Sequence, residues 1–295
     1  MAEDCTIKLL ERSPCGRDNN SDKKSGQDRD MPSLDLPAGK SSAFIISFDF
    51  DAEEVWLAEN PENVNRPGVL SQGTYGAKVG LGLVLDVLDH LGLPATFFTP
   101  GRVAERYPDQ LREIVAHGHE LGHHGYTHTS PTKLSKSEEL EELLKGRAAL
   151  EQFGVQVTGY RSPSWEVSQN TFDLLSQNGF EYSSSMMDDI KPYVHQNHKI
   201  VELPVQWMLD DAPYFWFSVG SDWNRTIRSA RDVEEIWREE FLGIHSLGGL
   251  TMLTMHPQFI GRPSRVAMLE RFLTFVKSHD DVWIATAGEV ARAVR

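Results

Sequence analysis

Residues 43–51 read AFIISFDFD: an uncharged run from Ala43 to Phe48, then two carboxylates, Asp49 and Asp51, two positions apart. An unbroken apolar run of this length is what a strand buried on both faces of a parallel sheet carries. In an extended segment, residues two apart project to the same side, so the two acids would face one place. Neighbouring like charges are costly unless a cation or a shared proton compensates, and the plainer alternative is a pair of solvated loop acids.

Outward from this strand, strands and helices alternate. Leu81, Val84, Leu85 and Leu88 fall on one helical face, and Gly92 and Pro94 stop the helix. A short strand at 95–98, a helix around Asp109–His117 and a strand from His119 to Gly122 follow. Ser135 and Glu138 form a capping box that opens another helix. Further strands are expected near Val157–Tyr160, Tyr182, Val201, Leu250–Met255 and Val282–Ala285, and helices near Thr171–Gln177, Asp232–Leu247 and Arg265–Lys277. This order predicts an α/β fold built on a parallel sheet or barrel, whose active groups sit at the C-terminal strand ends.

Residues 1–40 lack apolar periodicity and read as a flexible N-terminal extension, leaving 41–295 as one catalytic domain. The 295-residue chain has a net charge of −14, which disfavours binding to phosphate backbones or anionic lipid surfaces. No apolar run is long enough to span a bilayer, and no apolar leader opens the sequence, so a soluble, cytoplasmic protein is expected. Its two cysteines, Cys5 and Cys15, lie in the tail, so no thiolate cluster serves the body.

Polar residues recur where strands should end. His124 and His128 are four apart, as metal-binding pairs often are, within GHELGHHGYTH at 118–128. An isolated H-x-x-x-H is more often coincidence, but with Asp51 it completes a two-His-one-carboxylate set suited to Zn²⁺ or another divalent transition ion. His117, His119 and His123 read as capping or packing groups, His123 being the best placed to support the ligands. Arg161, ahead of Pro163, can orient a carboxylate and keep it ionised. His256 closes an apolar strand where a general acid could stand, or is simply a satisfied core histidine.

Asp49-x-Asp51, His124-x-x-x-His128, Arg161-x-Pro163 and Leu253-x-x-His256, in this order, resemble the motifs of the NodB-homology polysaccharide deacetylase superfamily. FDFDAE, RSPSW, YSSSMMDD and HPQFIGRP are similar to its peptidoglycan deacetylase-like or cyclic imidase-like subgroup. The resemblance implies a distorted (β/α)7 barrel, one divalent ion (Zn²⁺, or Co²⁺), and hydrolysis of a non-peptide C–N bond. It further implies that Asp51, His124 and His128 hold the ion, Asp49 is the general base oriented by Arg161, and His256 is the general acid. The oxyanion-stabilising N–H of the family maps to Ser164.

The sequence departs from the family at Ser164-Trp165, at His123, and at 183–189, which match the fourth motif only loosely and leave Asp188 and Asp189 unassigned. Trp56, Trp165 and Met187 are expected to narrow the substrate pocket, unless they are core residues. The substrate is then either an N-acetyl sugar or a small cyclic imide or ureide, with homo-oligomerisation left open. A non-catalytic binding barrel is disfavoured because every acid/base and ligand position is filled.

Overall fold

The computed structural model describes residues 34–217 and 226–294. The expected extension lies outside this range up to residue 33. Its last residues lie along the C-terminus: Leu34 bridges Val294, and the Asp35 N–H donates to the Ala293 carbonyl at 2.8 Å.

Among the described residues, nine strands form one curled sheet, with helices around its outer face. They are β1 (Ser42–Asp49), β2 (Thr96–Thr99), β3 (Glu120–His123), β4 (Gly159–Tyr160), β5 (Tyr182–Ser183), β6 (Tyr193–His195), β7 (Ile200–Glu202), β8 (Leu250–Met255) and β9 (Val282–Ala285). The order is β6-β7-β5-β4-β3-β2-β1-β8, and every pairing is parallel except the β6–β7 hairpin. β8 runs along one edge of β1, while β9 pairs with Ser42–Ile45 and β2 with Ser47–Asp49. The fold is the expected α/β type, but the barrel is partial. On the open side of β8, Asp210, on the segment after β7, bridges Thr254.

β1 is buried along its whole length, and its alternation sorts the core. Phe44, Ile46 and Phe48 pack under the helices with Trp237, Phe241 and Phe272. Ala43 and Ile45 belong to an inner cluster with Phe98, Tyr182, Leu203 and Met252. Ser47 and Asp49 continue that inward row, so the polar site begins where the inner apolar cluster ends.

The helix Leu81–Leu91 ends on Gly92 in the left-handed conformation, at φ 63°. Ser135 and Glu138 make both halves of the capping box that opens the helix Lys136–Glu151. Helices over Glu54–Glu59, Pro67–Tyr75 and Gly101–Arg106 were not signalled by periodicity. Among the described residues, no helix is long and apolar enough to cross a membrane.

Candidate active site

Asp49 ends β1, and Arg161 follows β4 across the barrel mouth. Arg161 is fully buried and donates from Nη1 to Asp49 Oδ1 at 2.7 Å and to Ser47 Oγ at 3.0 Å. Its Nε and Nη2 reach the carbonyl and hydroxyl of Ser184 after β5, and the guanidinium lies 4.1 Å from the Phe98 ring centre. Burial alone would raise the Asp49 pKa. The Arg161 charge and hydrogen bond, together with the charges of His124 and His256, outweigh it, and Asp49 is held below the ordinary carboxylate range.

Asp51 sits one pleat further on, with Ala52 after it forced to a positive φ of 45°. The histidine turn follows β3. His124 Nε2 lies 3.7 Å from Asp49 Oδ2 and 3.6 Å from Asp51 Oδ1, and His128 Nε2 lies 3.8 Å from Asp51 Oδ1. His124 Nδ1 bonds the Arg161 carbonyl at 2.8 Å. A carbonyl only accepts, so Nδ1 carries the proton and the Nε2 lone pair faces the carboxylates. Burial keeps His128 neutral by lowering its pKa well below the usual value.

His123 points the other way, under the turn. Its Nδ1 accepts the Gly125 N–H at 3.1 Å and its Nε2 meets the Leu143 carbonyl at 3.0 Å, while burial lowers its pKa to about 3. It is a neutral strut between the turn and the helix Lys136–Glu151, in keeping with the supporting place expected of it. Gly146 makes this approach possible: a Cβ there would stand 2.4 Å from His123 Nε2 and 2.8 Å from the Gly125 carbonyl oxygen. Gly146→Ala is therefore expected to cost about 1–3 kcal/mol of stability. Thermal unfolding checks this, and an unchanged midpoint would show that the helix can back away.

His256 follows β8. Its Nδ1 donates to Asp211 Oδ1 at 2.7 Å, its backbone N–H donates to Asp211 Oδ2 at 3.1 Å, and its Nε2 faces Asp51 Oδ2 at 3.6 Å. Burial pulls the imidazole pKa down, but Asp211, Asp210 and Asp51 outweigh it and push it up to about 10. Sequence reading missed Asp210 and Asp211. It considered Asp188 and Asp189 instead, which bond Tyr193 and the backbone N–H groups of Ile190 and Lys191. The sequence offers only a weak signal for them, two acids closing the mostly apolar segment 205–209.

Asp49, Asp51, His124, His128, Asp210 and His256 line one cavity of about 90 Å³, walled also by Val55, Ser164, Trp165, Trp207, Ala212 and Trp216. Ser164 and Trp165 are both left-handed, at φ 58° and 55°, and the Trp165 ring lies tilted by 34° against Trp207 with centroids 4.4 Å apart. Trp56 is instead a core residue: fully buried, it packs edge-on against Trp216 and Phe259, and Trp216 faces the cavity. Met187 stands half exposed and is not part of this lining. A larger depression of about 590 Å³ on the helical surface around Arg112 and Phe153 holds no such convergence of acid and base groups.

Asp51 tests whether a cation fits. Its carboxylate is fully buried, and neither oxygen has a hydrogen-bond partner among the described residues. Burial raises its pKa to about 8. A buried carboxylate without donors is costly, and a cation shared with two neutral imidazoles removes that cost. One donor atom each from Asp51, His124 and His128 lie within 4.8 Å of one another, so these residues can hold a divalent ion. Asp210, Asp211 and His256 also lie within that distance, but the short His256–Asp211 bond marks them as a proton-holding group.

A buried two-His-one-carboxylate set, flanked by an arginine-held carboxylate and an acid-paired histidine, has the composition of a hydrolytic centre. The polysaccharide deacetylase family model matches residues 78–183. The peptidoglycan deacetylase of Helicobacter pylori is 29% identical over 272 residues, covering 82% of this chain and 92% of that protein. A crystal structure from Mycobacterium smegmatis, described as a polysaccharide deacetylase, is 38% identical with a TM-score of 0.85, covering 88% of this chain and 93% of the other. An allantoinase structure shares the fold at 23% identity and a TM-score of 0.77, covering 90% and 94%. The chain belongs to the polysaccharide deacetylase family, hydrolases of carbon–nitrogen bonds.

Proposed function

We propose that this chain is a metal-dependent hydrolase of a non-peptide amide bond, with Asp49 as general base and His256 as general acid. The carrying observation is that Arg161-held Asp49 and Asp211-held His256 both face the Asp51–His124–His128 set within one cavity. A divalent ion bound there, Zn²⁺ by donor type with Co²⁺ also suited, supplies Lewis acidity that polarises a carbonyl and acidifies a water. Arg161 keeps Asp49 ionised, so its Oδ2 can take a proton from the attacking water. Asp211 fixes the proton on His256 Nδ1 and supports a second on Nε2, the atom that faces the cavity and can protonate the departing nitrogen. The family resemblance assigns the backbone N–H of Ser164, which lines the cavity, to the developing oxyanion.

The Helicobacter pylori relative supports an N-acetyl sugar as substrate. A second reading, a cyclic imide or ureide, is favoured by the small cavity and its walls of Trp165, Trp207 and Trp216. The test is Zn²⁺- or Co²⁺-loaded protein offered N-acetylglucosamine oligomers against hydantoin, dihydrouracil and succinimide. Acetate release is the result expected of the sugar reading. Ring opening without acetate release would replace it by the second, and hydrolysis of neither class would overturn both.

A further inference from the structure

We propose that Glu142, on the helix Lys136–Glu151, is a positioning residue for the metal site, holding the turn that presents His128. The proposal rests on the assignment of Asp51, His124 and His128 as ligands. The two histidines are placed by different means. His124 follows directly on β3 and is aimed by the Arg161 carbonyl. His128 lies four residues out on an irregular turn, with Gly125 at φ 76° and His128 itself at φ 56°, a conformation few non-glycine residues adopt. Such a turn keeps its shape only if its backbone groups are bonded from outside.

The helix Gly101–Arg106 supplies half of this, the Gly101 and Arg102 N–H groups donating to the Gly125 and Tyr126 carbonyls at 3.0 Å each. Glu142 supplies the other half. Its Oε2 accepts the Tyr126 and Thr127 N–H groups at 2.9 and 2.8 Å, and its Oε1 accepts the Thr127 hydroxyl at 2.9 Å. One carboxylate thus takes three hydrogen bonds from the two residues preceding His128. Bonds to an ionised acceptor are the stronger kind. Gly125 lies close against Pro163: a Cβ there would stand 3.2 Å from Pro163 Cγ. A shift of the turn would carry the His128 imidazole away from Asp51 Oδ1, now 3.8 Å from it.

The test is Zn²⁺ affinity of chelator-stripped protein, by competition with a chromophoric chelator, with the visible spectrum of bound Co²⁺ as a geometric readout. Glu142→Leu keeps the bulk without the acceptors, and should weaken Zn²⁺ binding at least about ten-fold and alter the Co²⁺ spectrum. Glu142→Gln keeps a carbonyl oxygen for the two N–H groups, and should restore binding close to wild type. If E142L does not fold, E142D carries the test, because the shorter side chain cannot reach both N–H groups and should weaken Zn²⁺ binding too. A folded E142L, or failing that E142D, that binds Zn²⁺ as tightly as wild type overturns the proposal, even if its metal-free stability falls. Wild-type protein that binds no Zn²⁺ overturns the ligand assignment itself, and this proposal with it.

Discussion

Asp49→Asn is expected to lower turnover by about 10²–10⁴-fold while leaving the divalent ion bound, the range typical of removing a general base. Asn keeps the shape of the side chain and an oxygen for Arg161 Nη1, now bonded to Asp49 Oδ1 at 2.7 Å. What it loses is the basic Oδ2 that faces His124 Nε2. The same change removes the negative partner of a fully buried guanidinium, and an uncompensated buried charge costs about 3–5 kcal/mol. The Phe98 face and the Ser47 and Ser184 bonds offset part of that cost. The variant should therefore unfold at a lower temperature but still bind Zn²⁺. Steady-state rates on the substrate found in the panel, alongside Zn²⁺ titration, measure both. Turnover close to wild type in the Zn²⁺-loaded variant would remove Asp49 from the base role.

How legible each part of the site was depends on the range of the interaction that places it. Asp49 with Asp51, His124 with His128, and Arg161 with Pro163 each lie within one strand end and the turn after it. Short spacings therefore announced them, and the parallel sheet brings the strand ends together. Asp210 and Asp211 are different. They reach His256 because Asp210 bridges Thr254 and the Asp211 N–H donates to the Thr254 carbonyl at 3.2 Å, contacts across more than forty residues of chain. No local pattern encodes such a pairing.

Aromatic residues illustrate the same limit. Trp56 and Trp216 form one edge-on pair, and composition cannot say which of the two faces the cavity. Glycines pose the same difficulty: a Cβ at Gly80, just ahead of the helix Leu81–Leu91, would stand 2.1 Å from the Pro257 carbonyl oxygen. Its smallness lets that helix lie against the segment that follows His256, a packing requirement visible only in three dimensions.

Asp51→Asn is expected to separate the two demands placed on that position. In the metal-free protein, Asp51 is a buried carboxylate with no donor on either oxygen among the described residues, opposed by Asp49, Asp210 and Asp211. The His256 charge favours it, and His256 keeps Asp211 when Asp51 is neutralised. Removing the charge should thus leave metal-free stability unchanged or higher, although it alters a side chain central to the site. With Zn²⁺ the order reverses. An ion at about 1,000 times its dissociation constant stabilises the native state by about 4 kcal/mol, which is on the order of 10 °C in melting temperature for a chain of this size. Wild type should show that rise, whereas the variant, lacking its one ionised ligand, should show almost none. Melting curves with and without Zn²⁺ decide the matter. A metal-free variant that melts well below wild type would mean that Asp51 stabilises the fold by itself, and a Zn²⁺ response as large as wild type would remove Asp51 from the ligand set.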